Sequence, residues 1–310
     1  MNKILKIGYF ADGPWSHEAF NRIHSDQSFD IRFICVRYDT QDDTLKNLCK
    51  KNKITYLKNK NINSESFLSQ LAEFDCDLFV SMSFNQIFKK NILNIPPLGI
   101  INCHAGKLPF YRGRNVLNWA LINNESEFGV TVHFVDDGID TGDIILQSTY
   151  PIIDSDDYHS LLQKAYVGCA ETLYAALKMF ISEEKVIGVK QKKIHPVGFY
   201  CTVRKPGDEI IDWNQTTRDV FNFIRAISSP GPNAITYLGE HEIQIVKAEQ
   251  IKDAPYYKGI VGAVVGIGKD YFEIKTQDSF IRVIQYISPV KIMMGDRFKM
   301  TPTPSCHRAD

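Results

Sequence analysis

Residues 78–82 (Leu-Phe-Val-Ser-Met) and 99–102 (Gly-Ile-Ile-Asn) are short, nearly continuous apolar runs. A strand wetted on one face alternates apolar and polar residues, whereas a strand covered on both faces has no reason to. The two runs therefore predict a parallel sheet with helices on either side. The surrounding sequence agrees. Residues 6–10, 31–36 and 54–57 read as further strands, separated by helical stretches. One helix follows the turn at Asp12-Gly13-Pro14 and is capped by Ser16, and another covers 44–51. A third follows Ser64 and carries Phe67, Leu68, Leu71 and Phe74 on one face. Residues 129–135 and 144–150 add two strands. Ser155, with Asp156 and Asp157, then opens a long helix bearing Leu161, Leu162, Ala165, Cys169, Leu173, Ala176 and Phe180.

The texture changes after Arg204-Lys205-Pro206-Gly207-Asp208. A single helix over about 217–227 ends at Ser228-Ser229-Pro230-Gly231-Pro232, and roughly five short strands follow, punctuated by Gly239, Gly266 and Gln277-Asp278. That pattern predicts a small barrel or open sheet. The expected organisation is a first domain over 1–204, a β-rich domain over 205–300, and a disordered tail over 301–310 containing Pro302 and Pro304.

Charge and cysteine usage remove several classes of function. Lys+Arg and Asp+Glu balance at 36 each, so no positive excess advertises nucleic acid or an anionic membrane. The lysines at 46, 50, 51, 53, 58 and 60 read as a solvated face. Seven scattered cysteines without a C-x-x-C pair suit reduced thiols in the cytoplasm, with no disulfide framework and no metal site. Cys306-His307 lacks further ligands. No apolar stretch has bilayer-spanning length, and residues 1–5 run directly into a strand, so neither membrane insertion nor a signal peptide is expected. The turn Phe10-Ala11-Asp12-Gly13-Pro14-Trp15 lacks the later glycines of a dinucleotide fingerprint, which disfavours a nicotinamide enzyme. No phosphate-cradling Walker loop is present either.

Chemistry concentrates in two segments. Asn102-Cys103-His104 ends an apolar run and is followed by Leu108-Pro109-Phe110-Tyr111-Arg112-Gly113. About three dozen residues after the histidine comes Val135-Asp136-Asp137-Gly138-Ile139-Asp140-Thr141-Gly142-Asp143. Asn102 and His104 are two apart on a strand, so both side chains leave one face. They leave at its carboxyl end, where open α/β sheets bind ligands. An amide, an imidazole and a carboxylate suit attack on a carbonyl: a donor for the oxyanion, a proton carrier, and a group that orients it. Spacing leaves the carboxylate open, with Asp140 only slightly favoured over Asp137, and Asp136 and Asp143 as turn-formers. His133 and His195 read as structural.

The pattern N-x-H-x-x-x-L-P-x-Y-R-G followed by G-V-T-V-H-x-V-D-x-G-I-D-T-G-D-I resembles the 10-formyltetrahydrofolate-dependent formyltransferases. Ile211-Asp212-Trp213 and Ile224-Arg225-Ala226, ahead of Pro230-Gly231-Pro232, resemble the entrance to that family's C-terminal domain. The resemblance implies a Rossmann-like, mostly parallel sheet with an OB-like barrel after it, and 10-formyltetrahydrofolate as formyl donor. It implies that Asn102, His104 and Asp140 are catalytic, with Asn102 and protonated His104 both donating to the oxyanion. It places the pterin against Ser83, Phe84, Asn85, Gln86, Ile87 and Phe88, and against the loop from Val135 through Asp136, Asp137 and Gly138 to Asp140.

The match over residues 102–115 is similar to the branch that formylates nucleotide-linked amino sugars, often 4-amino-deoxy sugars destined for bacterial surface glycans such as lipopolysaccharide O-antigen. The single-domain glycinamide ribonucleotide enzymes are shorter. The methionyl-tRNA branch, which is the alternative, has a basic, Gly-rich loop where this chain has Arg37-Tyr38-Asp39-Thr40-Gln41-Asp42-Asp43, short and acidic. On the sugar-nucleotide reading Lys107, Arg112, Arg114 and Arg204 are candidates for the pyrophosphate, and Tyr200 or Trp213 for stacking on the base. Arg112 and Arg114 suit bracing the site loop equally well, and Trp213 suits a packed core. A homodimer is expected by analogy.

Overall fold

The computed structural model describes residues 4–303. Residues 1–3 and 304–310, the latter holding Cys306-His307 and most of the expected tail, lie outside the described residues. In chain order the first elements are β1 (Leu5–Ala11), α1 (Pro14–Ser25), β2 (Phe29–Val36), α2 (Asp43–Asn52), β3 (Thr55–Lys58) and α3 (Glu65–Ala72). Next come β4 (Leu78–Met82), α4 (Lys90–Leu93), β5 (Ile100–His104), β6 (Arg112–Gly113), α5 (Val116–Ile122), β7 (Glu127–Phe134) and β8 (Ile144–Pro151). The long α6 (Tyr158–Ser182), α7 (Gln191–Ile194) and β9 (Tyr200–Cys201) complete this part. Seven strands form one sheet in the order β3-β2-β1-β4-β5-β7-β8. β1 to β5 run parallel, and β7 and β8 are antiparallel additions.

Every residue of β4 is buried, as its apolar run predicts. Beneath the carboxyl ends of the strands lies an aromatic cluster centred on Phe10. Its ring meets those of Phe33, Phe79, Phe84 and Phe88 edge-on, with centroids 5.5, 5.4, 5.3 and 5.0 Å away. Edge-to-face pairs add roughly 0.5–1.5 kcal/mol each beyond burial. α1 starts earlier than its serine suggests. Pro14 occupies the first turn, where its missing N–H costs nothing, and Ser16 is buried with its hydroxyl donating to the Gly13 carbonyl at 2.8 Å.

Two compact units emerge. One comprises residues up to Val116 with Glu127–Pro151 and Gln163–Thr202; the other comprises Leu117–Ser126, Ile152–Leu162 and the chain from Val203 onward. In the second unit α8 (Thr217–Ile227) is capped by Thr216, whose hydroxyl accepts from the Asp219 N–H. α8 gathers the two inserted segments. The Asn118 amide donates to the Ala226 carbonyl at 2.6 Å, and Arg225 donates to the Ile153 carbonyl at 2.8 Å.

Five antiparallel strands follow: β10 (Ala234–Leu238), β11 (His241–Gln250), β12 (Val264–Ile267), β13 (Phe272–Lys275) and β14 (Phe280–Ile287), in the order β10-β11-β14-β13-β12. Lys299 bridges to Tyr237 on one edge, and Arg297 bridges to Ala263 beside the other. A single segment thus covers both open edges, which would otherwise template pairing with another chain. Trp213 packs in this unit's core, 2% exposed, with its indole N–H donated to Thr236. That excludes it as a base-stacking surface. At the chain's far end the Thr303 N–H donates to the Gly239 carbonyl, so the first residues of the expected disordered tail are tied down.

Candidate active site

The antiparallel register of β5 on β7 sets Asn102 opposite His133 and His104 opposite Thr131. The loop leaving β7 then returns Asp140 to both histidines. Asp140 Oδ2 lies 3.7 Å from His104 Nδ1, and Asp140 Oδ1 lies 3.6 Å from His133 Nε2. The Gly113 N–H donates to Asp140 Oδ2 at 2.8 Å. Asn102 Nδ2 is 3.3 Å from His133 Nε2. The three residues predicted to act together are therefore brought together, with a fourth, His133, between them.

Proton positions follow from the acceptors. His104 Nε2 lies 2.7 Å from the Tyr111 carbonyl, which can only accept, so Nε2 carries hydrogen and Nδ1 faces the carboxylate. Tyr111 adopts φ 54°, which aims that carbonyl inward. Gly106 is required beside them, because a Cβ there would collide with both His104 Nε2 and the Tyr111 carbonyl. His133 Nδ1 is 2.7 Å from the Phe134 carbonyl and must likewise donate. With the ring neutral, Nε2 is a lone pair that accepts one hydrogen of the Asn102 amide and leaves the second for a ligand; with the ring protonated, the same Nε2 carries hydrogen and faces Asp140 Oδ1. Since the His104 Nε2–H is given to Tyr111, Asn102 is the donor this arrangement offers to an oxyanion.

Asp140 is nearly enclosed, with 12% of its side chain exposed. Burial alone would raise its pKa. The His104 and His133 imidazoles and the Gly113 N–H outweigh burial and hold the carboxyl well below the ordinary carboxylate range. The competing aspartates behave differently. Asp136 Oδ1 accepts from the Gly138 N–H and the Thr141 hydroxyl within its own loop, and Asp137 is exposed.

The segment proposed for the pterin is held from below. Phe84 and Phe88 join the Phe10 cluster, and Ser83 turns the chain at φ 58°. The Gln86 amide accepts from the Ile62 N–H at 3.0 Å and donates to the Asn59 carbonyl at 2.8 Å. Asn85 donates to Asp39, and Ile87 is 62% exposed. On the facing loop, the Val135 N–H continues the sheet by donating to the Ile100 carbonyl.

The cations divide. Lys107 is paired with Glu127. Arg112 donates twice to Gln191 Oε1, at 3.1 and 2.6 Å, and its guanidinium lies 5.4 Å from the Tyr200 ring centroid. The Arg112–Tyr200 juxtaposition follows from the pairing of β6 with β9. Arg114 is exposed, and its main-chain N–H donates to the Cys201 carbonyl. Arg204, in the second unit, donates to the Asp208 carbonyl and lies over Phe223. Sequence reasoning missed His133 and Gln191. His133 shares a strand face with Thr131, and only the β5–β7 register reveals which catalytic side chain it meets.

An amide, two imidazoles and an ionised carboxylate at the strand ends of such a sheet suit transfer of a small acyl group. The chain belongs to the formyltransferase family: the formyl transferase family model matches residues 25–176, and that of the formyl transferase C-terminal domain matches residues 204–300. It is an enzyme that moves a formyl group, and the family's donor is 10-formyltetrahydrofolate. A methionyl-tRNA formyltransferase of Azobacteroides pseudotrichonymphae is 34% identical over 256 residues, covering 78% of this chain and 76% of that protein. The bifunctional polymyxin resistance protein ArnA of Wigglesworthia glossinidia brevipalpis is 35% identical over 205 residues, covering 64% of this chain but 30% of that protein. In fold, the chain is similar to WlaRD, a sugar 3N-formyltransferase solved with dTDP and 5-N-formyl-THF. The TM-score is 0.67 at 22% identity, over 93% of this chain and 99% of that one. Among the described residues no helix is long and apolar enough to cross a membrane.

Proposed function

We propose that this enzyme formylates the amine of a nucleoside-diphosphate-linked amino sugar, with 10-formyltetrahydrofolate as donor and Asn102, His104 and Asp140 as the catalytic residues. The amine attacks the formyl carbon, forming a C–N bond and placing negative charge on oxygen. Asn102, one amide hydrogen fixed on His133, presents the other to that oxygen. The His104–Asp140 pair accepts the proton shed by the attacking nitrogen and returns it to the departing folate nitrogen as the tetrahedral centre collapses. On this reading Arg112 and the neighbouring Tyr200 meet the acceptor's phosphates and base, and the thiols suit a reducing cytoplasm. The product would serve surface-glycan synthesis.

One observation carries the choice of acceptor. The connection after β2 is knitted by its own carboxylates. Asp39 pairs with Arg37, and Asp42 caps α2, accepts from the Gly13 N–H and pairs with His17 at 2.8 Å. With Arg37 already spent on Asp39, this connection offers a phosphate backbone little positive charge to bind. The 34% identity to a methionyl-tRNA formyltransferase favours a second reading, formylation of charged initiator tRNA.

The test presents both acceptors with 10-formyltetrahydrofolate. A panel of dTDP- and UDP-linked 3-amino and 4-amino sugars should yield a formamide by mass spectrometry. Turnover of methionyl-tRNA at low salt, with silence across the sugar panel, would replace the first reading by the second.

A further inference from the structure

We propose that Gln191 is a positioning residue, its amide holding the backbone of Asp140 and bracing Arg112 at the same time. The inference rests on reading Asp140 as the site's carboxylate and is indifferent to which amine is formylated. Gln191 opens α7 and is 4% exposed. Its Nε2 donates to the Asp140 carbonyl at 2.8 Å and to the Gly142 carbonyl at 2.9 Å. Its Oε1 accepts from Arg112 Nε and Nη2 at 3.1 and 2.6 Å. A primary amide has two hydrogens to give and two lone pairs to fill, so this one is fully used.

The need for such a clamp lies in Asp140 itself. It adopts φ 54°, the left-handed region that costs an ordinary side chain energy and persists only where surroundings enforce it. Gly113 grips the carboxylate through its N–H, and Gln191 grips the same residue's carbonyl. Gly113 follows Arg112 in the chain, and Arg112 is the residue bonded to Oε1. The bonds close a circuit: Gln191 to Arg112, along the chain to Gly113, across to Asp140, and back to Gln191. The carboxylate's distance from both imidazoles is fixed by that circuit, and Gln191 is its only member outside the two sequence motifs.

Two variants separate positioning from bracing. Gln191→Glu keeps an acceptor for Arg112 but turns an oxygen on the two carbonyls; Gln191→Leu removes every bond. Amide hydrogen exchange by NMR reads the effect without any acceptor. The Gly113 amide, bonded to the Asp140 side chain, should exchange about tenfold faster in both variants. The Arg112 and Arg114 amides, bonded to the Phe199 and Cys201 carbonyls, should stay within twofold. With whichever sugar or tRNA acceptor turns over, kcat should fall about tenfold or more in both variants; both KM values should move less than about threefold in Gln191→Glu, which keeps Arg112 braced, and the acceptor KM should rise further in Gln191→Leu. Circular dichroism should show both variants folded at the assay temperature. Unchanged Gly113 exchange in both variants would overturn the proposal, and so would equal acceleration of all three amides, which signals general loosening. An active Asp140→Asn enzyme would instead sink the reading of the site, while Gly113 exchange would still report on Gln191.

Discussion

The two walls of the proposed site are built by opposite means. At the end of β5, polar side chains are held by directional bonds: Asn102 on His133, His104 on Tyr111, and Asp140 on Gly113. Across from them, the segment from Ser83 to Phe88 is held by rings packed on Phe10 and by Gln86 bonded to main chain. The first wall needs named atoms at named places, because the proposed reaction develops charge there. The second, on the proposed reading that it receives the pterin, needs a shape backed by packed rings more than particular polar atoms. Substitution should therefore cost the first wall turnover and the second wall binding or stability.

The largest effect should come from Asp140→Asn. Loss of the carboxylate removes the partner of the His104 imidazole and leaves the proton without a path, and kcat should drop by about 10³, on the order of 4 kcal/mol in the barrier. A stopped assay with saturating donor measures it; a loss under tenfold would erase the distinction between the walls. Phe10→Ala should act differently. The ring is fully buried, and its removal should destabilise the fold by roughly 3–5 kcal/mol in urea titrations. At a temperature where the variant stays folded, KM for the folate should rise more than kcat falls. A kcat loss matching that of Asp140→Asn would show that the aromatic wall also positions the reacting carbon.

This asymmetry explains what the sequence disclosed. Near-continuous apolar runs announced the parallel strands, and β4 and β5 lie where those runs predicted. Asn102 and His104 were legible because a two-residue spacing on a strand fixes a shared face. Spacing favoured Asp140 only slightly and family resemblance singled it out, since four aspartates stand in one loop and hydrogen-bond geometry decides among them. His133 read as a structural histidine, and nothing singled out Gln191. Which residue faces Asn102 depends on an antiparallel register between strands separated by a long connection. Gln191 reaches Asp140 across some fifty positions, with no periodicity to mark it. Ser16 misled because a serine after a turn looks like a cap, while the adjoining proline had already started the helix.

His133 gives a sharper test of the first wall. Its hydrogen from Nδ1 to the Phe134 carbonyl determines which way the Asn102 amide faces. His133→Phe keeps the volume but removes the acceptor, and kcat should fall about 10- to 100-fold with the fold retained by circular dichroism. His133→Gln, which can offer an oxygen to the Asn102 amide, should recover part of the loss. No recovery would mean that the imidazole serves Asp140 rather than Asn102.

The smallest expected effect concerns acid. The folded-state pKa of Asp140 lies below its unfolded value, which is near ~4 for a free aspartate. Between those two values the unfolded chain binds the extra proton, so the carboxylate's stabilising contribution is complete above the unfolded pKa and drains away as pH falls. Asp140→Asn has no such proton to bind. The difference in unfolding free energy between the unaltered enzyme and this variant should therefore shrink from pH 5 to pH 3, a window below the ordinary histidine range. Urea titrations at the two pH values measure it. A gap that held constant or widened would mean that burial, not the His104, His133 and Gly113 partners, governs the carboxyl group, and the first wall would then hold a neutral acid where a charge is required.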